Sequence, residues 1–441
     1  MLDAIERIRF GEDADSKISL FKMAGEHYLI RHSPFAFAKL TEEYKNMLAR
    51  LCEPNVKARE SDSKISPTLK KFLNEKIKAK TKKEHCLRRL NLIVAQKCNS
   101  RCRYCYAGEG NYGEDVLMPQ QVAQMAIESA LKHYDRVENI QFFGGEPFLA
   151  SGVIEDAITS AETIATILQK PIPIFTAVTN LTILPSKILK LVRQGKLNII
   201  ASLDGPQKVH DYNRRLSNGR PTYRAVVRNI SRLEPFSQPK TIQATYTAYH
   251  MDTGFSPRST KDHINSVCPK AHVVIVPSLN LPYRIGESIF HSDLISYCTG
   301  KAGCNRHALK KILNSYSALF ESGARGDIFC DLGVSNFTVD ARGKVWACQI
   351  LCNKTTPLGT ITNNWDSIKK RFESGMGKML RKSNFPACRN CFLKEYCTQC
   401  PIAWQRDKGN MSPIESQCQM DRRAFFTACR LSLILQKDES L

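Results

Sequence analysis

Residues 98–105 read Cys98-Asn99-Ser100-Arg101-Cys102-Arg103-Tyr104-Cys105. Three thiols at C-x3-C-x2-C spacing lie close enough to serve one inorganic centre. Thiolate ligands select iron–sulfur clusters, zinc or copper(I). A structural zinc site closes with four ligands, and this stretch offers three. The alternatives are a zinc half-site and a cubic [4Fe–4S] cluster with one iron left open to a small molecule. The run before it, RLNLIVA (89–95), is apolar and rich in strand formers. The cysteines thus follow a strand's carboxyl end, where parallel α/β sheets bind their ligands.

Outward from this stretch, short β-rich runs recur at 139–143, 172–178, 197–203, 241–247 and 272–277. Helical stretches near 119–134, 152–168, 185–194 and 222–233 separate the earlier ones. Alternation of this kind predicts a parallel sheet with right-handed crossovers. Six strands fit a partial barrel; a full eight-stranded barrel needs about 250 residues. The second run ends in Phe143-Gly144-Gly145-Glu146-Pro147 and the third in Thr179-Asn180-Leu181-Thr182. The fourth ends in Ser202-Leu203-Asp204-Gly205-Pro206, followed by His210-Asp211 and Arg214-Arg215.

The triad, the GGEP element and the SLDG…HD…R run together resemble the radical S-adenosylmethionine family, over about residues 89–290. The resemblance implies a cluster held by Cys98, Cys102 and Cys105. It implies that the open iron chelates the methionine part of S-adenosylmethionine. One electron, from a donor such as flavodoxin or ferredoxin, then yields a 5′-deoxyadenosyl radical that abstracts hydrogen. It also implies cofactor contacts from Tyr104 (against adenine), from Gly144, Gly145, Glu146 and Pro147 (toward the methionine ammonium), and from Asn180, Ser202 and Asp204. A plain capped turn is the other reading of these strand ends.

The last third of the chain carries Cys330-x12-Gly343-x4-Cys348, then Cys388-x2-Cys391-x5-Cys397-x2-Cys400, then Cys418. This is similar to the SPASM extension of peptide and sulfatase maturases, whose quartet ends on a three-residue interval rather than two. The resemblance implies two further [4Fe–4S] clusters, three in all. Cys388, Cys391, Cys397 and Cys418 would hold one. Cys330, Cys348 and Cys400 would hold the other, with Cys304 favoured over Cys298 and Cys352 as its fourth ligand, or with that position open to substrate. A tetrathiolate zinc site is the rival for the quartet alone. Asp340, in VDARG before Gly343, reads as a hairpin turn. Cys52, Cys86, Cys268 and Cys429 fit no pattern.

The chain has 441 residues, 17 of them cysteine, and a formal net charge of +22. No apolar run is long enough to span a bilayer, and the start is too charged for a signal core. A cytoplasmic location without membrane attachment is expected, in which 17 cysteines read as cluster ligands rather than disulfides. The positive balance suits an acidic partner, yet no nucleic-acid-binding signature accompanies it.

The expected plan is α/β: a small N-terminal α+β domain (1–65), a basic linker helix (66–88), a partial (β/α)6 TIM-like barrel (89–290) and a cysteine-rich SPASM domain (291–441). Within the first, a helix is expected near 38–51. The N-terminal unit has the size of a leader-binding domain, where a peptide adds a strand to a sheet edge. The resemblance thus implies a maturase of a ribosomally made precursor peptide with a leader, installing a cross-link. A formylglycine-generating sulfatase maturase is the alternative. That branch places an Asp after the second cysteine of its C-x-G-x4-C element, where this chain has Gln349.

Overall fold

The computed structural model describes the strands between residues 8 and 40, residues 85–278 and 327–389, and most of 391–422. The chain forms two compact units. One comprises residues 82–285 and 331–379; the other comprises 1–81, 286–330 and 380–441.

In the N-terminal segment β1 (Ile8–Arg9), β2 (Ile18–Met23), β3 (Glu26–His32) and β4 (Phe35–Leu40) form an antiparallel sheet in sequence order. Residues 35–40 are strand, so the start of the helix expected near 38–51 is corrected; the alternation Phe35, Phe37 suits period two. Residues 41–51 and most of the expected linker helix 66–88 lie outside the described residues; its end is corrected, because Cys86 and Leu87 are strand rather than helix.

The other unit begins with β5 (Cys86–Leu87), β6 (Arg89–Gln96), β7 (Val116–Leu117) and β8 (Arg136–Val137). Its sheet continues through β9 (Asn139–Gly144), β10 (Ile174–Thr179), β11 (Asn198–Ser202), β12 (Thr241–Tyr246) and β13 (His272–Pro277). Strands β6, β9, β10, β11, β12 and β13 pair in that order and all in parallel. The crossovers include α1 (Gln120–His133), α2 (Ser151–Ile167), α3 (Ser186–Arg193), α4 (Gln207–Asn213), α5 (Tyr223–Leu233), α6 (Ala248–Asp252) and α7 (Pro257–Val267). The six strands expected for the parallel sheet and the four helices expected between them are all present. The fold is α/β with a mostly parallel sheet.

Strands covered on both faces must be apolar along their length. In β6, Leu90, Leu92, Ile93 and Val94 are all fully buried, each worth about 1.5–3 kcal/mol of transfer free energy. The other edge of β6 is taken by β14 (Asn336–Val339), again in parallel. β14 turns through Asp340 into β15 (Lys344–Trp346), which pairs with β16 (Gly359–Thr360) before α8 (Trp365–Ser374). The Asp340 carboxylate accepts from the amides of Arg342 and Lys344 and from Trp346 Nε1. Gly343 takes the left-handed conformation the hairpin needs (φ 78°). Residues 331–379 belong to the same compact unit as residues 82–285, and β14, β15 and β16 extend the sheet that carries the cysteine triad. No helix among the described residues is long and apolar enough to cross a membrane.

Candidate active site

The triad loop leaves β6 at Gln96 and returns toward β7, so all three thiols lie at the carboxyl edge of the parallel sheet. Each is partly buried. Burial pushes the Cys98 thiol up to about 12 and Cys102 up to about 11, and the charges of the neighbouring triad cysteines push the same way. The three thiols thus sit on one short loop at one edge of the sheet. A bound metal would strip their protons, as coordination does to thiols generally. The donor set therefore fits the open-sited cluster better than an isolated buried thiol.

Two clasps hold this loop, one on each side. The first begins at Glu146, which is wholly buried. Its carboxylate accepts from the Phe148 amide (3.0 Å), Thr179 Oγ1 (2.7 Å) and the Asn180 amide (2.7 Å). Burial outweighs those bonds and lifts its pKa to about 7. The Asn180 side-chain amide then donates to Asn99 Oδ1 (2.9 Å), Ser100 Oγ (3.1 Å) and Cys98 Sγ (3.8 Å). Strand β10 thus grips the loop at its first cysteine. Gly144 and Gly145 make this possible. A Cβ on Gly145 would lie 2.0 Å from the Gly110 carbonyl oxygen and 2.4 Å from that of Lys97. Pro147 follows as the first residue of a short 3-10 turn.

The second clasp centres on Asp204, also wholly buried. Its Oδ2 accepts from Tyr104 Oη (2.6 Å) and Arg214 Nε (3.0 Å), and its Oδ1 from the Thr245 amide (2.9 Å). Burial alone would raise the carboxyl's pKa, but Arg214 and the hydrogen bonds more than offset it, so Asp204 is held below the usual range. The Arg214 guanidinium lies 5.3 Å from the Tyr104 ring centroid and donates to Cys102 Sγ (3.9 Å). His210 and His250 brace the same residue: the Asp204 amide donates to His210 Nδ1 (3.2 Å), and His250 Nε2 donates to the Asp204 carbonyl (2.7 Å). Ser202, at the end of β11, is nearly buried.

Sequence reasoning placed Tyr104, Glu146, Asn180 and Asp204 at the cofactor. The structure places all four around the cysteine loop, three of them nearly or wholly buried. It also shows a partner that reasoning missed. The Arg101 amide donates to the Arg215 carbonyl (2.7 Å), the Arg103 amide to Asn213 (3.0 Å) and the Ser217 amide to Asn99 (2.9 Å). Residues 213–217 are thus a backbone rail for the loop. The adjacent arginines were visible in the sequence, but nothing in it marks main-chain pairing.

Residues 92–263 match the family model of the Radical SAM superfamily. The chain carries a radical SAM domain. Over 370 residues, 76% of this chain and 95% of the relative, it is 23% identical to a cysteine-type anaerobic sulfatase-maturating enzyme of Clostridium perfringens. The first curated relatives it matches are spanned over only 54% and 29% of their length. Among solved structures, the anaerobic sulfatase maturase anSMEcpe with bound AdoMet shares the radical SAM fold at TM-score 0.62 and 18% identity, over 79% of this chain and 99% of that one. Streptococcus suis SuiB bound to its precursor peptide SuiA does so at TM-score 0.51 and 15% identity, over 89% and 96%. Radical SAM domains bind a [4Fe–4S] cluster and S-adenosylmethionine.

In the other unit, Cys388, Cys391, Cys397 and Cys418 gather. Burial raises the Cys388 and Cys397 thiols to about 11 and Cys418 to about 12. The charge of Cys391 acts on Cys388, that of Cys388 on Cys397, and those of Cys397 and Cys388 on Cys418. Cys388 and Cys397 pack with Phe329, Phe385 and Trp404. Cys330 and Cys400 belong to this unit and Cys348 to the sheet unit. Cys352, one candidate for the last ligand, is buried among Ile93, Tyr112 and Trp346. Cys304 and Cys298 lie outside the described residues.

Proposed function

We propose that this chain is a maturase of a ribosomally made peptide, with the triad cluster and two auxiliary [4Fe–4S] clusters. The observation that carries the reading is the pairing of a radical SAM triad with the gathered quartet Cys388, Cys391, Cys397 and Cys418. When bound at the triad, the cluster and S-adenosylmethionine supply a 5′-deoxyadenosyl radical. The chain's own contribution is to hold three thiols in one orientation through Asp204, Arg214, Asn180 and Glu146. Tyr104, Gly144, Gly145, Glu146, Pro147, Asn180, Ser202 and Asp204 remain our candidates for shaping the cofactor's seat. Cys330, Cys348 and Cys400, with Cys304, are the proposed second auxiliary set.

Two features support a peptide substrate. SuiB, a fold relative, binds a precursor peptide. The antiparallel sheet β1–β4 offers edge strands for a leader, and the charge of +22 suits an acidic one. The chemistry is oxidative hydrogen abstraction ending in a cross-link, with a flavodoxin or ferredoxin as electron donor, in the cytoplasm. Coexpression with the precursor peptide encoded beside the gene is the test. A mass loss of about two hydrogens is expected, and an unmodified peptide that also fails to bind would overturn the reading.

The 95% coverage of a sulfatase maturase keeps formylglycine formation as a second reading. Gln349 weighs against it, because an amide cannot accept the proton that an Asp at this position would. Conversion of a sulfatase-type peptide to its aldehyde would favour it.

A further inference from the structure

A group of side chains at the opposite end of the sheet has no part in the reading above. His85, His133 and Asp366 place their ligating atoms all within 4.8 Å of one another. His85 precedes β5, His133 is the last residue of α1, and Asp366 is in the first turn of α8. β5 pairs with β8, and each runs directly into a strand of the parallel sheet at its amino end, away from the triad.

We infer that His85, His133 and Asp366 form a site for a divalent transition ion of the zinc type. The Nε2 of His133 is buried and has no hydrogen-bond partner. The Asp366 carboxylate oxygen stands 3.5 Å from it, beyond the 2.7–3.2 Å of a good N–H···O bond. Two donors held about 2.1 Å from one tetrahedral ion lie roughly 3.4 Å apart. The separation is thus that of two ligands around a shared ion.

The surroundings fit a cation. A helix carboxyl end favours positive charge and a helix amino end favours a carboxylate, matching His133 and Asp366 respectively. Lys170, a cation whose charge opposes this, points its ammonium at the carbonyls of Leu131 and Tyr134 (2.6 and 2.8 Å). His85 is anchored through its own backbone: its amide donates to Asp135 Oδ2 (3.3 Å) and its carbonyl accepts from the Asp135 amide (2.9 Å). His85 and Asp366 are exposed, so water can fill the remaining positions. Two imidazoles and one carboxylate select zinc-like ions over magnesium or calcium. An ion here would tie α8, and with it the segment 331–379, to α1. Trp365 Nε1, which donates to Ser129 Oγ (2.9 Å), already marks that joint.

The test uses the full chain with its clusters reconstituted anaerobically, then loaded with zinc and desalted. Wild type should retain one zinc more per chain than His133→Ala, His85→Gln or Asp366→Ala, with iron content equal in all four. Zinc should raise the melting temperature of wild type, and each variant should need at least ten times more zinc for the same rise. His85→Gln, altering an exposed side chain, separates loss of a ligand from loss of fold. Equal zinc retention in all four proteins, or no zinc-dependent shift in wild type, would overturn the site.

Discussion

Asp204 is a buried carboxylate kept ionised by Arg214, Tyr104 and the Thr245 amide. Removing one partner of a buried ion pair strands the other, at a cost of about 3–5 kcal/mol. Asp204→Asn should therefore lower stability by that order in anaerobic chemical unfolding, and should lower the iron bound by the triad. Unchanged stability would show that Arg214 finds another partner. His210 gives a pH signature. Burial depresses its pKa to about 4, against 6.5 for the free side chain. The unfolded chain takes up the proton first, so stability is full above pH 6.5 and falls as pH drops toward 4. Between pH 7 and 5 wild type should lose about 2 kcal/mol more than His210→Gln. Parallel pH profiles would contradict this. His250, whose pKa burial also lowers, adds in the same direction. At this scale the sequence was partly legible. The cysteine spacing marked the triad as candidate ligands, because ligand spacing is local. It could not show that Glu146 and Asp204 turn inward to hold the loop, since a hydrogen-bond partner 34 or 100 residues away leaves no local trace.

Gly145 decides how closely β9 approaches the triad loop. An added methyl would meet main-chain oxygens of Gly110 and Lys97, which cannot swing aside as a side chain can. Gly145→Ala should expel the loop that carries Cys98 and remove about four irons per chain, the content of one cubic cluster, without changing iron bound elsewhere in the chain. Iron and sulfide determination would read this, and full iron occupancy would refute it. The repeating elements were the most legible part of the chain. All six parallel strands follow apolar runs, because a strand covered on both faces has no polar alternation to blur it. The short helices α4, α6 and α7 went unread. Their strongest cues, Pro257 after the Ser256 cap among them, belong equally to turns.

Across the whole chain, charge and the N-terminal sheet carry the substrate proposal. Deleting residues 1–65 should abolish precursor binding and leave S-adenosylmethionine cleavage within twofold; fluorescence anisotropy with a labelled precursor would measure the first and product assay the second. Equal affinity of both forms would place leader recognition elsewhere. The return of residues 336–339 to the edge of β6 was not legible in the sequence. Strand pairing across such a distance is set by the tertiary fold, with no nearby turn to announce it. That pairing has a consequence for biosynthesis. Asn91 meets Thr338, 247 residues later. On a ribosome adding about 5–20 residues per second, the strand leading to the triad emerges with one edge bare for roughly 12–50 s. A bare apolar edge is a template for aggregation. Soluble yield should therefore follow chaperone supply and translation speed, and a nascent chain halted short of Asn336 should pellet.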